Sequence, residues 1–229
     1  MIGVSFFLHG CAWIPVQGGK EYLSHLEVSV DLPKGWNKYP ESQTDHNGWR
    51  QFQEVTDRLI LSRTGFWIQQ IQIQRVPHDK ELNHTQKKTS QTMLPERVAD
   101  LVEENILAHP GIRNARILSK SVETIGNQSG YKLVYTYKAI NLPSNRPYYY
   151  GTTALAMDRG YYGLTYKVAE YGFHYEDWFY TLIFVAPQRH YFAKDLGAFE
   201  KIKDSLMMGR DPSIKIKPAE AFTSDDEGY

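Results

Sequence analysis

His174, Tyr175, Glu176, Asp177 and Trp178 run consecutively and put an imidazole beside two carboxylates. Such a set can act as general acid and base or supply part of a metal site. On a strand, His174 and Glu176 would share a face, because side chains alternate. No second group with ligand spacing accompanies them, and polar residues of this kind also fill the loop ahead of a buried strand. His78, Glu81 and His84 form a weaker set. They lie in a polar stretch, His78 to Gln91, whose one aliphatic residue is Leu82, and which reads as a mobile, solvated excursion. HExxH, GxSxG, a phosphate-binding glycine loop and CxxC are all absent from the sequence. The expectation is therefore a non-enzymatic protein with no metal and no cofactor. The rival is an extracytoplasmic enzyme or small-ligand receptor built on His174, Glu176 and Asp177.

The other reactive group is Cys11, the single cysteine of 229 residues. It follows a short uncharged apolar run, Ile2-Gly3-Val4-Ser5-Phe6-Phe7-Leu8, and then His9-Gly10. Leu-His-Gly-Cys after an apolar run resembles the export signal and lipobox of a bacterial lipoprotein. The match departs from that pattern in lacking a basic start and in having His9 where small or apolar residues are usual. The resemblance implies lipidation of Cys11, a membrane partner through that anchor, and a place in the cell envelope. With Ala12 next, the implied sorting is to the outer membrane, facing the periplasm. The alternative from the residues alone is a buried first strand, Val4 to Trp13, with Cys11 as a small hydrophobe. The run is too short to span a bilayer, which needs about 20 apolar residues.

Lys plus Arg equals Asp plus Glu at 26 each, so nothing in the charge argues for nucleic acid. Aromatics make up 14% of the chain, with 16 Tyr, which suits half-exposed sheet faces and interfaces. Tyr148-Tyr149-Tyr150 and Tyr161-Tyr162 flank an Asp158-Arg159-Gly160 turn. By alternation Tyr149 and Tyr161 point away from the core and are candidate anchors for a protein partner of unknown identity.

The elements that position these groups are read from periodicity. Leu26 to Leu32 alternates strictly and ends at Pro33-Lys34-Gly35-Trp36. Leu59-Ile60-Leu61 is a short strand. Trp67 to Val76 is another, with Ile71 and Ile73 on one face and Gln70, Gln72 and Gln74 on the other, which predicts a wet or partly covered side. Leu94, Val98, Leu101, Val102 and Ile106 recur at helical spacing behind Pro95 and stop at Pro110-Gly111. Ala115 to Thr124, Tyr131 to Ala139, Tyr148 to Met157 and Tyr162 to Val168 read as strands, the first pair joined by a Gly126 to Gly130 loop. Phe179 to Val185 is a near-continuous apolar run, the mark of a strand covered on both faces. Leu196, Phe199, Ile202 and Leu206 form the stripe of a last helix with Asp195 available as a cap. Strands without strand–helix alternation predict an antiparallel sheet flanked by helices, an α+β domain.

Three of these places carry a further resemblance. Leu26 to Trp36 with its Pro-x-Gly-Trp turn, the helix from Pro95, and Thr181 to Pro187 followed by Asp195, Phe199 and Leu206 are together similar to the Mog1/PsbP-like group. That resemblance implies an α/β/α sandwich and a partner-binding or scaffold role, in a group that includes bacterial lipoproteins. The expected organisation is a signal segment over 1–10, a linker over 11–24, one domain over 25–208 and a disordered tail over 209–229.

Overall fold

The computed structural model describes residues 14–38, 57–63, 69–110, 112–139, 164–189 and 192–214. In chain order the elements are β1 (Ile14–Pro15), β2 (Gly19–Leu23), β3 (Val28–Leu32), β4 (Asn37–Lys38), β5 (Asp57–Ser62), β6 (Gln70–Pro77) and α1 (Pro95–Leu107). Then come β7 (Ile112–Ile125), β8 (Gln128–Ala139), β9 (Thr165–Tyr175), β10 (Trp178–Pro187), α2 (Phe192–Ser205) and β11 (Met207–Met208). Eight strands form one sheet in the order β1-β4-β5-β6-β10-β9-β8-β7, and three form a second in the order β11-β3-β2. Every pairing among the described residues is antiparallel. The fold is α+β, and among the described residues one helix lies on each side of the large sheet.

Two apolar cores explain why the central strands are apolar on both faces. On one side, Ile71, Ile73, Tyr171, Phe173, Leu182 and Phe184 meet Phe199 and Ile202 of α2 and Val28 and Val30 of the small sheet. On the other, Leu133, Tyr135, Val168, Phe179, Ile183 and Val185 meet Val98, Val102 and Ile106 of α1. The run in β10 is apolar throughout because its neighbours β6 and β9 leave neither face to water.

Asp195 fastens α2 to the sheet. It lies inside the first turn of the helix, not before it, and it is buried at 1% exposure. Its carboxylate accepts hydrogen bonds from the Arg63 guanidinium and the Gln69 amide, on the path from β5 to β6. The acidic group also suits the positive end of the helix dipole. Farther along α2, Glu200 accepts from the Tyr171 hydroxyl at 2.8 Å and faces Lys132 at 3.3 Å.

Several expectations are corrected by the packing. The stretch read as a linker, 11–24, contributes β1 and β2, which pair with β4 and β3. The first residues read as a tail also pack: the Gly209 amide donates to the Glu27 carbonyl at 2.7 Å and the Asp211 amide to Ser29 Oγ at 2.7 Å. The Gln-rich face of β6 is covered in part: Gln70 and Gln72 are buried, the Gln72 amide donating to Gln70 Oε1 at 2.9 Å, while Gln74 is half-buried and lines the space under α1. The β7–β8 connection is tighter than a five-residue loop, since Ile125 pairs with Gln128 and only Gly126-Asn127 turns, with Gly126 at φ 58°. Leu94 precedes the helix and is 70% exposed, so it is not part of the buried stripe.

Among the described strands β7 is a long sheet edge, with register shifts between Arg113 and Arg116 and between Ile117 and Ser119. Asn114, at φ 54°, takes the left-handed conformation that Asn tolerates.

The Asp195 anchor yields a direct test. Asp195→Ala strips two donors of their buried acceptor and is expected to cost about 2 kcal/mol in urea unfolding, where hydrogen bonds to a charged group contribute roughly 1.5–3 kcal/mol. Arg63→Ala, which leaves the carboxylate its Gln69 partner, is expected to cost less.

Candidate functional site

Strand β9 carries a carboxyl group into the centre of the large sheet. Glu170 is 5% exposed and sits on the face covered by α1, opposite Leu133 of β8 and Ile183 of β10. Two residues on, Gly172 lies opposite Tyr131 and Thr181. A Cβ at Gly172 would stand 2.4 Å from Tyr131 Cε1 and 2.6 Å from its hydroxyl. The missing side chain is therefore what lets the Tyr131 ring lie across β9, and that placement brings its hydroxyl within reach of the acid. Tyr131 donates to Glu170 Oε1 at 2.8 Å and Tyr135 to Oε2 at 3.3 Å.

Each carboxylate oxygen thus accepts one bond, and the group has capacity for more. Burial pushes the Glu170 carboxyl up to about 7, with the two phenols pulling against that rise by stabilising the anion. The same burial, with Glu170 next to it, drives the Tyr131 hydroxyl well above its ordinary range, so it remains a donor.

Beside Glu170 lies a cavity of about 130 Å³. Its apolar wall includes Val102, Ile106, Ile112, Phe179 and Ile183, and its polar lining includes Gln74, Asn105, His109 and Thr181. Thr181 Oγ1 is buried without a hydrogen-bond partner among the described residues. A mostly apolar space with a few convergent polar groups has the make-up of a small-molecule site.

The roof is the stretch after β6, which is structured against expectation. The His78 amide donates to the Asp177 carbonyl at 3.1 Å, tying its start to the β9–β10 turn. Thr89 Oγ1 donates back to the His78 carbonyl at 3.1 Å, closing its end. Between them the His84 amide donates to Asn105 Oδ1 at 2.9 Å, the Lys87 ammonium pairs with Glu104, and the His84 and His109 rings meet at 4.3 Å. Backbone groups are paired by these short loops and by α1, which is why a segment with almost no aliphatics keeps one shape. Burial lowers the His109 pKa to about 4, helped by repulsion from His84, and burial also lowers that of His84. Both rings are neutral at pH 7.

The triad read from the sequence is not assembled. β9 continues through His174 to Tyr175, and Glu176-Asp177 is the two-residue turn into Trp178. Glu176, at φ 49°, and Asp177 are exposed at the tip. The His174 ring points back over the sheet against Phe179 at 5.0 Å and His78 at 6.4 Å, with neither ring nitrogen bonded among the described residues. Burial, then His78, lowers its pKa to about 4. Among the described residues no three His, Cys, Asp or Glu side chains are placed to hold a metal ion. Of the second set, Glu81 lines the cavity and His84 roofs it, while His78 anchors the roof. Cys11, Tyr149 and Tyr161 lie outside the described residues. Sequence reasoning missed Glu170, Gly172, Thr181 and His109. A Glu and a Gly inside an otherwise apolar strand were the available signal, since an isolated strand Gly marks a close approach.

No family model and no curated protein matches the chain. Its fold is similar to the solution structure of the cyanobacterial PsbP, CyanoP, of Synechocystis sp. PCC 6803. That match has a TM-score of 0.49 and 11% identity, over 88% of this chain and 98% of the other. It is also similar to the Ran-binding protein Mog1p of Saccharomyces cerevisiae, with a TM-score of 0.40 and 11% identity, over 83% of this chain and 95% of the other. The likeness is one of fold outline. It transfers no residue to the cavity.

Glu170 and His109 tilt stability in opposite directions with pH. Glu170 rises from an ordinary 4.5 to about 7, so the folded state keeps a proton that the unfolded chain releases. Stability from this group is full below pH 4.5 and is lost as pH climbs through 7, by on the order of 3 kcal/mol. His109 falls from 6.5 to about 4, so its contribution is full above pH 6.5 and is lost as pH drops through 4. Glu170→Gln is therefore expected to be more stable than the parent by roughly 1–3 kcal/mol at pH 8, with the gain gone at pH 4.5. Urea unfolding at the two pH values reads this out, and an equal difference at both would mean that the carboxyl ionises as it does in water.

Proposed function

We infer that this chain is a non-catalytic binding domain of the cell envelope, with the cavity between α1 and the sheet as its ligand site. The observation that carries the reading is the cavity itself: about 130 Å³, apolar along α1 and β10, with Glu170 and an unpartnered Thr181 hydroxyl on its wall. Open space beside unsatisfied buried polar atoms is what a ligand fills, because each such atom costs about 1–3 kcal/mol when left unpaired. Glu170 is held by two phenols, an arrangement that fixes an acceptor in place. A protein partner is a second reading, supported by Leu118 and Val122, which stand 50% and 46% exposed on β7.

The test of the binding site is an NMR titration with 1-butanol, a probe that fits the volume. Saturable shifts at Val102, Ile106, Ile112 and Ile183 are expected, and their loss in Val102→Phe, which fills the space. Absence of saturable shifts at these residues overturns the site.

The envelope address rests on the apolar run Ile2 to Leu8 and on Gly10-Cys11. The lipid on Cys11 supplies the tether, and more than one acyl chain is needed for stable anchoring. Mass spectrometry of the protein from its native membrane is expected to find a new N-terminus at Cys11 carrying diacylglyceryl. An unmodified chain beginning at Met1 would refute the tether and leave the cavity reading intact.

A further inference from the structure

The cavity also specifies what it takes. Its apolar wall has room for a molecule about the size of benzene, since an apolar space near 150 Å³ holds one. At one end stands Glu170, with spare acceptor capacity on both oxygens, and among the described residues no cationic side chain pairs with it. Next to it across the sheet, through Gly172, is Thr181, whose Oγ1 can accept a further bond. Phe179 presents an aromatic ring on the same wall.

These groups suit one head group better than the others. A primary ammonium brings three donors and a positive charge. The carboxylate and Thr181 Oγ1 accept from it, and Phe179 adds a favourable aromatic face. A hydroxyl brings one donor and leaves the buried charge uncompensated, while a carboxylate ligand would meet Glu170 as a like charge. The remaining ionisable groups do not oppose a cation. His109 is neutral at pH 7, Tyr131 and Tyr135 are donors to Glu170, and of the two charged residues that also line the space, Lys80 and Glu81, the acid pairs with Lys88 at 3.9 Å.

We propose that the cavity binds a small organic ammonium, a short alkyl primary amine, with its nitrogen against Glu170 and Thr181 and its hydrocarbon along α1 and β10. This rests on the cavity being the ligand site. No bond is made or broken. The amine binds as the cation to the ionised acid, so Glu170 gives up the proton it holds in the free protein below about pH 7. Affinity is therefore linked to pH: level above 7 and weaker by about tenfold for each pH unit below it.

The experiment compares n-butylammonium with 1-butanol, which have the same chain and differ in head group, by calorimetry and NMR at pH 8 and pH 5.5. Butylammonium is expected to bind at least tenfold more tightly than butanol at pH 8, with the preference shrinking at pH 5.5. Glu170→Gln is expected to lose the preference for the amine over butanol. Thr181→Val, which keeps the shape of the wall, is expected to weaken the amine several-fold. Equal affinities for the two probes at pH 8, or an amine preference that survives Glu170→Gln, would overturn the ammonium assignment while butanol binding upholds the site. If neither probe binds, the site itself fails. Should Glu170→Gln not fold, the pH dependence in the parent protein decides alone: an amine affinity unchanged between pH 8 and 5.5 refutes the proposal.

Discussion

A carboxyl group shut away from water inside a sheet must find donors on neighbouring strands, and that requirement organises one face of this molecule. Glu170 cannot reach the backbone, whose groups are committed to the ladder. Its donors have to be side chains that lean across the strand. Tyr131 can do so only because Gly172 presents no Cβ to the ring. The glycine, the tyrosine and the acid are one device spread over β8 and β9. Substituting any of them disturbs the other two. The cavity lies beside the same device, bounded by Glu170 itself, Tyr135, Phe179 and Thr181 and by the aliphatic groups of α1.

The two faces of the large sheet are built on different principles. On the α2 side the contacts are apolar and the polar ties are short: Asp195 to Arg63 and Gln69, and Tyr171 to Glu200. On the α1 side the cover is divided between a helix and an aliphatic-poor roof held by a few single bonds, such as His84 to Asn105 and His78 to Asp177. Regions with few buried apolar contacts open at lower free energy than the global fold. The roof is therefore the less strongly held of the two covers, and the α2 side is the firmer frame.

Much of the architecture was legible in the sequence because alternation and helical spacing are local. The strand after Leu26, the helix from Pro95, the apolar run of β10 and the stripe of α2 were all visible as patterns and stand as elements. The class, an antiparallel sheet flanked by helices, followed from their order. What was hidden depends on register between distant strands. Glu170 meets Tyr131 only because β8 and β9 align Tyr131 with Gly172. His174, Glu176 and Asp177 looked like one group because they are consecutive, yet the hairpin leaves the imidazole over the sheet and the carboxylates at its tip. The polar stretch after β6 read as solvated because its order comes from hydrogen bonds to α1 and to the β9–β10 turn, which composition does not record. On β6 composition likewise does not record that the Gln72 amide finds Gln70 in the interior.

The margins of the large sheet carry a last consequence. One border, β1, is two residues long. The other, β7, is long but kinked by two register shifts and studded with Arg113, Arg116, Lys120 and Glu123. A second copy seeking to extend the sheet would meet a backbone whose spacing does not repeat and whose charges must be desolvated. Among the described residues, these two borders offer a second copy little regular backbone on which to add a strand.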